Sequence, residues 1–148
     1  MAERAGLEER FVTNQERFEK ICRIASDSTA DPGDRMRLIE SHVHAAERYK
    51  FLREGGLRIE TLLGAVRAVG QLTAAMPGQA SARDLVEAIT QFVAAPKSPD
   101  HLEELKALGH VDEAIRATGG ASLPLELSIG VKLLDVVWGY LFMHLYWL

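Results

Sequence analysis

Apolar residues recur at helical spacing along nearly the whole chain, and no stretch shows the strict alternation of a half-buried strand. The pattern divides into six helical segments. The first is expected over 3–26, with Leu7, Phe11, Phe18, Ile21 and Ala25 on one stripe and Asn14 in the remaining seam position. Residues 1–28 therefore read as a short heptad-like helix in which a polar Asn can fix register. A second helix starts at Asp31-Pro32, a capping side chain followed by a first-turn proline, and presents Met36, Ile39, Val43 and Ala46 until Gly55-Gly56. The third, 57–76, has only a thin polar edge at Glu60, Arg67 and Gln71, so it should lie deepest of the early helices. Gly64, Ala65 and Ala68 would admit a close neighbour.

Pro77-Gly78 breaks the chain, and Ser81 with Asp84 forms a capping pair for a fourth helix carrying Leu85, Ile89 and Phe92. Pro96 stops it. Ser98 as cap and Pro99 at the first helical position open a fifth, which presents Leu102, Leu105 and Leu108; Gly109 is expected to split it before Ala117. Gly119-Gly120 closes that segment, and Ser122 opens the last helix, 122–148. The expectation is an all-α fold: one domain, 1–148, built as a bundle of about six helices with short connections.

The last helix departs from the amphipathic rule. Residues 133–148 read LLDVVWGYLFMHLYWL and hold both tryptophans and two of the three tyrosines. Leaving about ten such side chains in water would forgo about 15–30 kcal/mol, more than the roughly 5–15 kcal/mol by which a typical domain is stable. The segment must therefore be covered. At about 100° per residue, Leu127, Leu134, Val137, Trp138, Leu141, Leu145 and Leu148 share one face, and Ser128, Lys132, Asp135 and Gly139 lie opposite. Beyond Gly139 the formerly polar face continues as Phe142 and Tyr146, with Met143 and Trp147 beside them. The protein's own bundle, a partner or twin subunit, or a membrane surface could cover that end. The apolar run is shorter than the roughly twenty residues that span a bilayer, and Lys132 and Asp135 would each cost about 2.5–3.5 kcal/mol at its centre. An interfacial anchor is the membrane form that fits. Trp138 is expected inside the bundle, and Phe142, Met143, Tyr146 and Trp147 are expected to anchor a protein partner or a homo-oligomer.

Composition changes this picture little. A chain of 148 residues, 47% hydrophobic and 26% charged, suits one globular domain and excludes disorder. The formal charge of −4 is spread along the chain, so neither half is a polycation and nucleic acid is not an expected partner. The single cysteine, Cys22, cannot close an internal disulfide and reads as a small core residue; the charged opening MAERAGLEERF does not resemble a signal peptide. A cytoplasmic location, with membrane association as the alternative, is the expectation.

Glu40, His44 and Glu47 lie four and three residues apart on one helical face, which makes them metal-ligand candidates. Di-metal bundles use Glu-x-x-His on paired helices, whereas here the order is reversed and no second helix matches it. With Arg48 adjoining, an ion-pair cluster is expected there instead. Arg48, Lys50, Arg53 and Arg58, interleaved with Tyr49 and Phe51, are anion-binding candidates, although Glu47, Glu54 and Glu60 dilute the field. His42 points away from the Glu40 group, His101 and His110 are expected in solvent, and His144 is expected to bond a carbonyl in the core. No nucleophile elbow, phosphate-cradling glycine loop, paired Cys-x-x-Cys or zinc-binding His-Glu-x-x-His helix is present. The sequence points to a non-enzymatic interaction protein (adaptor, assembly factor or regulatory subunit) that needs no cofactor. Peripheral membrane attachment is the alternative, and an enzyme or small-ligand binder using Glu40, His44 and Glu47 is the third.

Overall fold

The computed structural model describes residues 12–49, 57–76, 83–117 and 125–147, with side chains of the last segment described over 127–142. Among these residues there are six helices and no strand: α1 (Asn14–Ser26), α2 (Pro32–Arg48), α3 (Ile59–Ala75), α4 (Arg83–Ala94), α5 (Leu102–Ala117) and α6 (Leu125–Trp147). The fold is a single all-α bundle. Helices α1, α2, α6 and α3 close a ring in which each packs on the next, while α4 packs on α3 and on α5. Phe92, Val111 and Ile115 meet Leu127 and Leu134 around a narrow apolar cleft of about 30 Å³, so the α4–α5 pair also covers the seam between α3 and α6.

The stripes expected from spacing form the core. Phe18, Ile21 and Ala25 are buried on α1, and Met36, Ile39, Val43 and Ala46 on α2. Helix α3 buries Leu62, Leu63, Ala65, Val69, Gly70, Leu72 and Thr73, as befits an element with neighbours on several sides. Residues 3–11 of the expected first helix, Gly55-Gly56, Ser81, Gly119-Gly120 and Ser122 lie outside the described residues.

Helix ends differ from the expectation where polar side chains compete for backbone groups. Helix α1 does not run through residue 12, because Thr13 adopts an extended conformation and its hydroxyl accepts from the Glu16 N–H at 3.1 Å, a capping arrangement that starts the helix at Asn14. Asp31 caps α2 as expected, accepting from the N–H groups of Gly33 and Asp34 at 3.0 and 3.3 Å. That helix ends at Arg48, well before Gly55. The Tyr49 carbonyl accepts instead from the Asn14 side-chain amide at 3.4 Å. Helix α5 begins at Leu102, not Pro99: the Ser98 hydroxyl bonds Asp100, whose carboxylate accepts from the Leu102 N–H at 3.1 Å. The same two bonds hold the Asp100 carboxyl below the usual carboxylate range. Leu102 is consequently exposed, and Leu108 and Val111 supply the core contact.

Three polar ties fix the helices relative to one another. Gln15 of α1 accepts from the Arg58 N–H at 3.0 Å and donates to Thr61 Oγ1 at 2.7 Å, so a side chain of one helix caps the start of another. Arg35 of α2 donates to the Ala25 carbonyl at the end of α1 at 2.9 Å. Deep in the ring, Asn14 donates to the Tyr140 hydroxyl, which donates in turn to the Ala46 carbonyl, while the Phe18 and Tyr140 rings meet edge to face at 5.8 Å. Asn14 is 1% exposed and Tyr140 3%, so this link joins α1, α2 and α6 away from water.

The close approach expected at Gly64 occurs at Gly70. A Cβ there would stand 2.8 Å from Ile89 Cγ2 and 3.3 Å from Val93 Cγ2, whereas one at Gly64 would make ordinary contact with Cys22 Sγ at 3.8 Å. Gly109 does not split α5, and a Cβ at Gly109 would meet nothing within 4 Å. Opposite outcomes follow for the same substitution. Gly109→Ala should stabilise by about 0.5–1 kcal/mol through helix propensity. Gly70→Ala should lose that gain to overpacking of about 1–3 kcal/mol and destabilise the protein. Denaturant midpoints of the two variants check this.

Candidate functional site

Helix α6 turns a broad surface inward: Leu127, Ile129, Leu133, Leu134, Val136, Val137, Tyr140 and Leu141 are buried. Trp138 is half-buried against the core, and its indole N–H has no hydrogen-bond partner among the described residues. Ser128, Asp135 and Phe142 are exposed at seven-residue spacing, and Phe142 is 60% exposed. The outward stripe thus changes from polar to apolar as it approaches Phe142. The side chains of Met143, His144, Tyr146 and Trp147 lie outside the described residues. Lys132, the cation nearest Asp135 in sequence, turns to Glu47 of α2 at 3.3 Å, and no ion pair to Asp135 occurs among the described residues.

The Glu40, His44 and Glu47 face of α2 meets this lysine. His44 Nε2 lies 3.5 Å from Glu40 Oε1, and its Nδ1 lies 3.4 Å from Lys132 Nζ. An imidazole donating to Glu40 through Nε2 and accepting from the ammonium through Nδ1 satisfies both contacts. With Lys132 among the three, the cation of the group is a side chain of the protein. No cluster of His, Cys, Asp and Glu suited to a metal ion occurs among the described residues. Glu40 and Glu47 each have a charged or ionisable partner here, His44 and Lys132 of α6, where Arg48 had been expected as the base.

The two anion-binding candidates among the described residues, Arg48 and Arg58, lie in different surroundings. Arg58, at the start of α3, lies 3.8 Å from Glu19 of α1. Arg48 instead lines a polar cavity of about 330 Å³ with Arg17, Ser41, His42, His44 and Tyr49. Lys50 and Arg53 lie outside the described residues.

Sequence reasoning missed a fourth constellation, between α3 and the start of α5. Arg67 Nη2 donates to Glu104 Oε2 at 2.8 Å, with side chains only 12% and 4% exposed. The guanidinium also lies over the Phe92 ring, 5.7 Å from its centroid. His101 Nδ1 stands 3.3 Å from Glu104 Oε1 and its Nε2 3.5 Å from Glu60 Oε1, so only the doubly protonated ring donates to both carboxylates. His101 is thus an enclosed bridge, not the solvated residue expected. Its φ of 57° lies in the left-handed region, which histidine enters more readily than most residues. The Glu60 carboxyl is held below the usual carboxylate range, first by its own backbone N–H and then by His101. One signal was legible in the sequence: Glu104 falls on the same helical stripe as Leu108 and Val111, which places a carboxylate where the core should be. The adjoining cavity, about 420 Å³, is also lined by Lys97, Ser98 and Pro99. Its acids and bases largely satisfy one another, which makes this a clamp between helices.

Removing Arg67 takes from the enclosed Glu104 carboxylate its shortest charged contact and leaves it to His101 alone. Arg67→Met should cost about 3–5 kcal/mol, whereas Arg67→Met combined with Glu104→Leu should recover most of that loss; urea unfolding of the single and double variants measures both. Comparisons with protein-family models, with curated proteins and with solved structures each returned no match to this chain.

Proposed function

We propose that this protein is a non-enzymatic interaction module, an adaptor, assembly factor or regulatory subunit, whose contact surface is the outward stripe of α6 around Phe142. The single observation that supports this reading is the 60% exposure of Phe142, on a helix whose other large apolar side chains, among the described residues, are buried or half-buried. Met143, Tyr146 and Trp147 follow it in sequence and extend the apolar character of that end. Aromatic and methionine side chains of this sort dominate the energetics of protein interfaces.

The charge on the stripe favours a different protein over a second copy. Asp135 lies one turn-pair before Phe142 and is exposed. Two α6 helices pairing about Asp135 would set like carboxylates against each other, which is unfavourable. A partner helix with an apolar face flanked by Lys or Arg meets both features, burying Phe142 and neutralising Asp135. Among the described residues no helix is long and apolar enough to cross a membrane.

A photo-crosslinking amino acid placed at position 142 in the native host should capture one partner protein. With that partner purified, Phe142→Glu should weaken binding by about tenfold or more, the loss of one anchor, while helical circular dichroism is retained. Asp135→Lys should weaken it too, and an acidic substitution on the partner helix should restore binding. Crosslinks solely to a second copy, or flotation with anionic vesicles that Phe142→Glu abolishes, would overturn the proposal.

A further inference from the structure

His101 stands where the connection from α4 meets the start of α5, and its backbone carries the first turn of that helix. Its N–H donates to the Ser98 carbonyl at 3.0 Å, and its own carbonyl accepts from the Leu105 N–H at 2.9 Å. This backbone is held at a φ of 57°, a conformation that persists outside glycine where surrounding contacts fix it. The ring supplies such contacts. It is 14% exposed, with Nδ1 at 3.3 Å from Glu104 Oε1 of α5 and Nε2 at 3.5 Å from Glu60 Oε1 of α3. The two carboxylates differ in their freedom. Glu104 is 4% exposed and bonded to Arg67, so it has no route to water. Glu60 is 70% exposed and lines a cavity of about 420 Å³, so it has room to turn away.

We propose that His101 is a proton-operated latch that holds the first turn of α5 on α3, closed when the ring is doubly protonated and open when it is neutral. The charged ring donates through both nitrogens, one to each carboxylate, whereas a neutral ring has a single N–H. If Nε2 kept that proton, the bare Nδ1 would face the Glu104 carboxylate, which cannot leave. The proton therefore stays on Nδ1, and the bare Nε2 faces Glu60, whose exposed carboxylate is released. Glu60 keeps its charge in both states, because its own backbone N–H first, and then His101, hold its carboxyl below the usual carboxylate range. The latch thus opens as pH rises through the range in which imidazoles titrate, about pH 5 to 8, and closes as pH falls. The charged groups around the ring are Glu60 and Arg67 from α3, Glu104 from α5, and Lys97 and Asp100 from the connection, with Arg58 near Glu60. Arg67 stays bonded to Glu104 in both states, so α3 and α5 remain packed and only the hold on the first turn changes. The latch is independent of the α6 surface.

Amide hydrogen exchange in the intact protein, read by NMR at both ends of that range and expressed as protection factors, tests the latch. The Leu105 amide reports the first turn directly, because its bond is to the His101 carbonyl. Its protection should fall by about two- to fivefold from the acid to the alkaline end, as for the loss of one exposed ion pair, while amides in the middle of α1 hold steady. Glu60→Gln alters an exposed side chain, so the fold should persist by circular dichroism. The remaining contact to Glu104 is made by the charged and the neutral ring alike, and Leu105 protection in that variant should be flat with pH. His101→Asn keeps a residue that tolerates the left-handed backbone without a titrating ring, and should be flat at the lower value. Leu105 protection that does not change with pH in the unaltered protein, a change that survives in Glu60→Gln, or an equal fall in α1 would overturn the proposal.

Discussion

The burial of α6 is the constraint on which the rest of this bundle depends. Its inner surface is too wide for a single neighbour, and α2 and α3 pack against it from two sides. At about 1.5–3 kcal/mol for each large side chain, the residues buried between Leu127 and Leu141 outweigh any polar contact in the molecule. The ring order follows from this demand. Helix α1 bridges α2 and α3 behind α6, and the α4–α5 pair covers the seam that remains.

Apolar burial does not choose a register, and here buried polar groups do. Asn14 and Tyr140 meet where slippage of α6 by one turn would strand an amide and a hydroxyl in the core, a penalty of about 1–3 kcal/mol for each unsatisfied group. Gln15 performs the corresponding task between α1 and α3, and the Arg67–Glu104 pair between α3 and α5. The α1–α2, α1–α3, α2–α6 and α3–α5 junctions thus each carry directional contacts.

The helices were legible in the sequence because their stripes were: Phe18, Ile21 and Ala25, or Met36, Ile39 and Val43, are buried as their spacing requires. The Asp31 cap was legible for the same local reason. Ends set by distant groups were not. Where α2 ends, the Tyr49 carbonyl receives a bond from Asn14, far away in sequence, and no window around Gly55 contains that information. Gly109 misled because glycine inside a helix costs only about 1 kcal/mol, which packing on both sides of it overcomes. The sites followed the same division. The Glu40, His44 and Glu47 face was visible from spacing, yet its cation comes from α6. The Arg67–Glu104–His101 clamp depends on α3 meeting the start of α5, and only the misplaced carboxylate of Glu104 hinted at it.

The seating of α6 can be measured directly with Trp138, which is half-buried against the core on that helix. In a Trp147→Phe variant it is the sole tryptophan, and its emission reports the environment of α6 alone. The account predicts blue-shifted emission, poorly quenched by acrylamide, in a dilute monomer, with a red shift that coincides with loss of helical circular dichroism during unfolding. Red-shifted, freely quenched emission from a monomer that is still helical would show that α6 is not seated in the bundle and would contradict the account.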